Sequence, residues 1–508
     1  MVKEDYILGI DIGTTATKVT LFDLKGTTIA SATREYELVT PTALEVEIEI
    51  ETLWNAFKDG IREVLSISKV KRSNVKALGI SAQGETLVPI DKNGKPLRRA
   101  IVWLDSRAEE EAETLNKKFD DGESYRITGQ VKLVPTWPAS KILWIKNHEP
   151  DVFRRVYKYL LVEDYFIWKM TGTFISEGSL LCSTCYWNIV AKKWWDEMLD
   201  FLGITPDQLP DIGEPGENIG NLLPSVAQEL GLATETMVCT GALDQACGTV
   251  GVGNIKPGIF TENIGAALAI CATLERPTFD PKRRIPIHYH AIPDTYMAHT
   301  FTTGGMALRW FRDSFCEMEA AVANLANISS YQLIDEEVAQ VAPGAEGLVM
   351  LPHLQGAMAP EANPKAKGVF FGFTLRHKKP HFARAIMEAI ACIIQRNIDV
   401  LEDIGIKVTE IRALGGGARS KIWNQIIADL TKRPVITTLH DEDAACLGAA
   451  ILAGKAVGFF NNLENAVMGM VAIRERFEPD QKNFKVYEEL YTKYIKLYES
   501  LIELFERT

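Results

Sequence analysis

The chain repeats one short pattern, and that repeat limits its fold more than any other feature. Residues 9–23, GIDIGTTATKVTLFD, read as a strand, a glycine turn and a second strand. Residues 262–272, ENIGAALAICA, read the same way about 250 residues later. Each copy opens a long stretch of alternating strand and helix patterns. Apolar runs at period two are followed by runs at helical spacing, such as Leu53, Phe57, Ile61, Val64 and Leu65. Two related α/β domains with facing hairpins, and a cleft between them, follow from that spacing.

The rest of the sequence is compatible with such a pair. With 508 residues the chain exceeds what one core holds, since cores split beyond ~250–300 residues. The expected division is 1–255, 256–460, and a helical tail over 461–508 packed on the second domain. The net charge of −12 is the wrong field for nucleic acid or an anionic membrane. It leaves room for a small phosphate site built from backbone amides and one lysine. No apolar run reaches the ~18 residues of a membrane span. The start, MVKEDYILGIDIG, has no apolar targeting segment, so a cytoplasmic protein is expected. Among eight cysteines only Cys182 and Cys185 are closely spaced, and a zinc site wants a second pair. His288 and His290 alternate along a strand pattern with no third ligand, which argues against a histidine metal site.

The first hairpin reads as a phosphate grip. Gly13 lets backbone N–H groups approach a ligand, while Thr14, Thr15 and Thr17 offer hydroxyls and Lys18 a point charge. Asp11 can hold Mg2+ directly or through water. An ordinary β-hairpin is the competing reading. Other phosphate motifs fail. Gly448–Gly454–Lys455–Ala456 is one residue too long for a P-loop and lacks its Ser or Thr, and the glycines at 248–253 do not complete a dinucleotide fingerprint.

Three further segments carry polar groups at strand ends. Gly241-Ala-Leu-Asp244-Gln245 places an acid where α/β folds put catalytic groups, although Asp is equally a helix cap. Gln83, Glu85, Trp103 and Asp105 suit a polyhydroxylated ligand, with hydroxyls on the acids and an apolar sugar face on the indole. Core packing of Trp103 and an Asp105–Arg107 surface pair compete with that reading. Gly415-Gly416-Gly417 joins a strand to a helix and admits a flat ring or phosphate close to backbone.

Together these motifs resemble the FGGY carbohydrate kinases over residues ~5–455. The resemblance rests on GIDIGTTATK, IVWLDSR at 101–107, the Gly241–Gln245 loop, GGGARSKIWNQIIADL, Glu442 to Ala450, and the long signature from Gly368 through His381, Arg384 and Glu388 to Ala391. It implies two actin-like (ribonuclease H-like) ATPase domains closing on ATP, Mg2+ and a sugar. It implies Asp244 as catalytic base, and Asp11 with Asp244 at the metal. Thr14, Thr15, Lys18, Gly265, Gly305, Gly416 and Gly417 fall on the nucleotide side. Gln83, Glu85, Trp103, Asp105, Asp244 and Gln245 fall on the sugar side. Three departures stand out. Gly265-Ala266-Ala267 lacks the usual hydroxyl of the second hairpin. Gln83-Gly84-Glu85 lacks the arginine of glycerol kinases, and it lacks the Met-His of many xylulose kinases. A ketopentose such as D-xylulose is the expected substrate, with gluconate, a keto-sugar acid, ribulose or another polyol as alternatives. A chaperone-like ATPase and a weakly catalytic sugar sensor remain as other classes, and a homodimer stays open.

Overall fold

The structure is a computed structural model and describes residues 4–507. Residues 1–3 and 508, at the outer limits of the first and last expected segments, lie outside the described residues. The chain builds two large mixed sheets. The first contains Tyr6–Ile12 (β1), Ala16–Asp23 (β2), Thr28–Glu35 (β3), Val75–Ala82 (β4), Asn218–Asn221 (β5) and Met237–Leu243 (β6). Their order is β5-β6-β4-β1-β2-β3. The second contains Ile259–Ile264 (β7), Ala267–Leu274 (β8), Ile287–Tyr289 (β9), Tyr296–Thr303 (β10), Glu410–Leu414 (β11), Val435–Thr438 (β12) and Ile473–Phe477 (β13). Their order is β9-β10-β8-β7-β11-β12-β13.

The two orders share one plan. A three-stranded antiparallel meander (β1-β2-β3, then β7-β8-β10) is extended by two parallel strands (β4 and β6, then β11 and β12). The hairpins also match. Gly13 N donates to Ala16 O at 3.0 Å in the first, and Gly265 N donates to Ala267 O at 2.9 Å in the second. The repeat seen in the sequence is thus a repeat of topology. Each sheet gains extra edge strands, β5 on the first, β9 and β13 on the second.

Helices cover the sheets where the apolar period allows. Ile50–Ser68 (α1) lays Leu53, Phe57, Ile61 and Val64 on β2 and β3, with Trp54 stacked on Phe57 at 5.4 Å. Residues 137–235 mix helices with short strands. They hold Pro138–His148 (α2) and Val162–Thr171 (α3), but also short strands such as Lys158–Leu160 and Ile175–Glu177. Asp244–Gly251 (α4) follows β6 directly. Lys379–Asp403 (α5) and Lys421–Thr431 (α6) back the second sheet through Ile390, Ile394, Ile426 and Ile427. Ala444–Ala456 (α7) is buried along most of its length because it serves both halves. The expected tail is helical over Phe484–Glu506 (α8), but it is preceded by β13, which pairs with β12 and closes the second sheet.

α7 belongs by sequence to the second half, yet it packs on β1 and β4 of the first sheet and crosses α4. The crossing needs glycine. A Cβ on Gly448 would lie 1.9 Å from Cys247 O, and one on Gly251 would lie 1.9 Å from Ala444 O. A separate apolar cluster forms around it, from Ile7, Ala242, Cys247 and Val250 with Cys446, Leu447, Ala450 and Leu452. All eight cysteines are buried and unbridged. Among the described residues no helix is long and apolar enough to cross a membrane.

Candidate active site

The two hairpins and the strand ends around them enclose a cavity of about 410 Å³. Its walls come from both sheets: Asp11, Asp244 and Gln245 from the first, Asn263 and Gly415 from the second, and Asp441 from the loop before α7. Asp11 sits there because β1 ends beside β4, whose Ser81 Oγ donates to Asp11 Oδ1 at 2.7 Å. Asp244 sits there because β6 ends and α4 begins at that residue, and Asp244 Oδ1 accepts from Gln245 N at 2.6 Å.

The cavity is acidic, and the acids feel one another. Burial, then the charge of Asp11, pushes the Asp244 carboxyl up to about 7, with Glu85 adding to the rise. Burial raises Asp11 as well, partly offset by Ser81 and Lys18. Burial raises Glu85, offset by Ser183 and by Lys141. Among the described residues no group of three or more acids, histidines or cysteines forms a metal-ready cage. Mg2+ does not need one. It keeps several waters and binds through one or two carboxylates plus substrate phosphates. Asp11 and Asp244, two carboxyls crowded at one cavity and paying for each other's charge, fit that donor set.

The first hairpin turn is pinned from three sides. Gly13 O accepts from Tyr36 OH at 2.6 Å and from Gln83 Nε2 at 2.9 Å, and Ile12 O accepts from Gln83 N at 3.0 Å. Trp103 Nε1 donates to Thr14 Oγ1 at 2.7 Å, which leaves the Thr14 hydroxyl proton free to face a phosphate. Thr15 is exposed at the turn. Lys18 is committed elsewhere: it ion-pairs with Asp443 and donates to Glu442 O at 3.3 Å. The second hairpin is met by two glycine segments. Gly305 N donates to Gly265 O at 2.9 Å, and the Gly415–Gly417 turn lies against Ile264. Gly416 sits at this junction, whereas Gly417 is buried under Ile264.

The sugar-side candidates divide into two groups. Glu85 and Trp103 are half-buried beside the first hairpin, and Gln245 and Asp244 line the cavity. Gln83 and Asp105 serve the scaffold. The Gln83 amide oxygen accepts from Thr86 Oγ1 while its nitrogen holds Gly13 O. Asp105, fully buried, accepts from Val46 N at 2.6 Å and from Arg107 Nη2 and Nε at 2.7–3.0 Å. A sugar hydroxyl reaching Asp105 would have to displace a charge-assisted bond, so the surface-pair reading of Asp105 and Arg107 was right about the partner and wrong about the burial.

Sequence reasoning passed over several residues that the fold brings in. Lys141 on α2 is fully buried and donates to Glu85 O at 2.9 Å and Val102 O at 3.0 Å, tying the Glu85 loop to the Trp103 loop. Burial lowers its ammonium to about 7. Asn263 and Thr261 face the cavity while Phe260 and Ile264 face the core. That alternation was the available signal.

The N-terminal domain of the FGGY family of carbohydrate kinases matches residues 6–251, and its C-terminal domain matches residues 270–457. A gluconokinase of Bacillus subtilis is 32% identical over 97% of this chain and 95% of its own length. A xylulose kinase of Staphylococcus epidermidis is 31% identical over 99% of this chain and 98% of its own. The crystal structure of a gluconate kinase from Lactobacillus acidophilus superposes with a TM-score of 0.89 at 27% identity, covering 98% of both chains.

Proposed function

This chain belongs to the FGGY family of carbohydrate kinases, and we propose that it transfers the γ-phosphoryl group of ATP to a hydroxyl of a neutral ketose, D-xylulose or a related ketopentose. The relatives' names divide between gluconate and xylulose, so charge must decide. The cations felt by Glu85 and Asp11 are Lys141 and Lys18. Lys141 is spent on two backbone carbonyls and Lys18 on Asp443. Arg107 is spent on Asp105 and Glu47. An aldonate would therefore bring its carboxylate to a site holding Asp11, Glu85 and Asp244, with Lys141, Lys18 and Arg107 each already paired. That single observation favours a neutral sugar.

In this reading Asp244 takes the proton of the attacking hydroxyl on its free oxygen while Gln245 N holds the other. A base held near 7 is well matched to neutral pH, where it is half ionised and still basic. The hydroxyl of Thr14 and the amides of the first hairpin receive the phosphate oxygens, with the Gly265 hairpin and Gly305 on the opposite wall. Mg2+, when bound beside Asp11 and Asp244, supplies positive charge to the phosphoryl oxygens. Closure of the two halves excludes water from the γ-phosphate.

The test is ADP release over D-xylulose, D-ribulose, D-gluconate and glycerol. Like charges brought together across an interface cost several kcal/mol, so kcat/KM for the best ketose should exceed that for gluconate by about 10²-fold. A preference for gluconate would overturn the neutral-sugar reading while leaving the kinase assignment standing.

A further inference from the structure

β6 carries Asp244 at its end, and although Ala242 and Leu243 still pair with β4, two of the last backbone amides of β6 are taken by side chains. The edge strand β5 stops at Asn218, opposite Cys239. On the other side β6 bulges against β4: Cys239 pairs with Gly79 and Ala242 with Ser81, so Thr240 and Gly241 together face Ile80. Glycine is required at 241, where a Cβ would lie 1.5 Å from Ile80 O. A bulge and a vacated edge leave backbone donors without a ladder partner, and buried donors must find one.

Side chains take those donors. Gly241 N donates to Glu163 Oε1 at 2.9 Å. Leu243 N donates to Ser179 Oγ at 2.9 Å, and Ser179 Oγ donates to Glu177 Oε1 at 2.6 Å. Glu177 is fixed in turn, accepting from Ser179 N at 2.7 Å and Leu180 N at 2.9 Å. Glu163 is 1% exposed, and Glu177 and Ser179 are 0% exposed. Burying carboxyls is expensive unless a cation or proton neutralises them. Among the described residues no ion pair reaches Glu163 or Glu177, and Asp164 is buried beside them. Burial and the Glu177 charge push Glu163 far up, and burial pushes Glu177 up to about 8. Burial thus favours the protonated form of both carboxyls. The feature this costly cluster secures is the main chain just before Asp244.

We propose that Glu163 and the Glu177–Ser179 pair are positioning residues for phosphoryl transfer, holding the bulged main chain of 241–243 so that the Asp244 carboxylate stands at the cavity wall. They act through backbone amides and touch neither sugar nor phosphate. The inference rests on the reading of Asp244 as the base.

Three variants separate the effects, with Asp244→Asn as reference. Glu163→Gln keeps an acceptor oxygen for Gly241 N and matches the neutral charge of the protonated acid. Glu163→Leu removes the acceptor, and Ser179→Ala removes the one for Leu243 N. Misplacing a catalytic group by about 1 Å costs ~10²-fold, so kcat should fall between ~10- and ~10²-fold in Glu163→Leu and Ser179→Ala, with the KM for ATP unchanged. Glu163→Gln should restore most of the rate. Amide hydrogen exchange over 239–245 should quicken in the two impaired variants and stay slow in Glu163→Gln. A Glu163→Leu enzyme that turns over like Glu163→Gln, or exchange that does not change, overturns the proposal. If Glu163→Leu does not fold, Ser179→Ala carries the same comparison. If the wild-type chain releases no ADP with any sugar, the base reading fails, while the exchange experiment still decides whether these side chains hold the strand end.

Discussion

In the proposed reaction Asp244 is the base, and its environment sets two measurable pH effects. Its carboxyl is raised from 3.8 to about 7 by burial and by Asp11. A base must be ionised, so kcat/KM should climb with pH and level off above about 7, and Asp244→Asn should lose that limb. The same substitution should lower kcat by ~10³-fold, within the ~10²–10⁴ range of general base catalysis, while nucleotide binding measured by calorimetry persists. The stability effect has the opposite sense. A carboxyl raised in the fold contributes stability that is complete below 3.8 and is lost as pH climbs to about 7. Asp244→Asn should thus melt above the wild type in alkaline buffer, with the gap closing toward pH 4. Ala266 offers a second residue-level test. It is exposed at the tip of the second hairpin, where its carbonyl accepts from Met306 N at 2.9 Å, so Thr fits there. A charge-assisted hydroxyl–phosphate bond contributes roughly 1.5–3 kcal/mol, so Ala266→Thr should lower the KM for ATP about tenfold. An unchanged value would mean that the hairpin amides already suffice. Asp11 and Asp244 were legible because each ends a strand inside a short motif. Lys141 and Glu163 were not, because they come to bear on these segments only when distant elements pack together.

At the scale of elements, the α4–α7 crossing makes the sharpest demand. Gly251 and Gly448 each meet a backbone carbonyl of the other helix, so the two axes approach to backbone contact. Gly248, on the same helix as Gly251, would place its Cβ 3.9 Å from Leu414 Cδ2, an ordinary contact. Overpacking typically costs ~1–3 kcal/mol, and Gly251→Ala should lose at least that in thermal or urea unfolding. Gly248→Ala should be neutral or gain up to the ~1 kcal/mol by which alanine exceeds glycine in a helix. Equal losses in both would show that the crossing is not the constraint. The elements legible in the sequence, β1, β2, β7, β8 and α1, are those with strong apolar runs and clear turn residues. β3, β10 and β13 have no clean period-two pattern: β3 and β13 mix threonine, arginine or glutamate into exposed positions, and β10 is buried on nearly every residue, threonines and a histidine included. Their strand character comes from the neighbour they pair with, which no local period records. Some short strands within 137–235 leave no local signal for a related reason: they exist only in two-stranded pairs made over long sequence separations, such as Ile175–Glu177 with Asp211–Gly213.

The whole molecule is two copies of one sheet plan joined by a shared helix pair, and the join decides how the cleft can move. α7 lies on the first sheet so closely that a Cβ on Gly9 would fall 1.8 Å from Cys446 O. The halves therefore cannot part at that face, and motion is left to the opposite, open mouth of the cleft. Lys18 of the first sheet ion-pairs with Asp443 at the start of α7. Both side chains are partly exposed, at 26% and 17%, which places the pair among those worth ~0–1 kcal/mol. If that ammonium is the point charge the first hairpin offers to a phosphate, as proposed, nucleotide must compete with Asp443 for it. Asp443→Asn removes the competitor and should lower the KM for ATP, by up to about fivefold if the full ~1 kcal/mol is released. Salt should blunt the difference, because a half-exposed pair is screened within the ~8 Å Debye length of physiological buffer. Lys18→Met tests the other partner and should raise the KM for ATP in both backgrounds. If Asp443→Asn raises that KM instead, the carboxylate is orienting Lys18 toward the phosphates and does not hold it back.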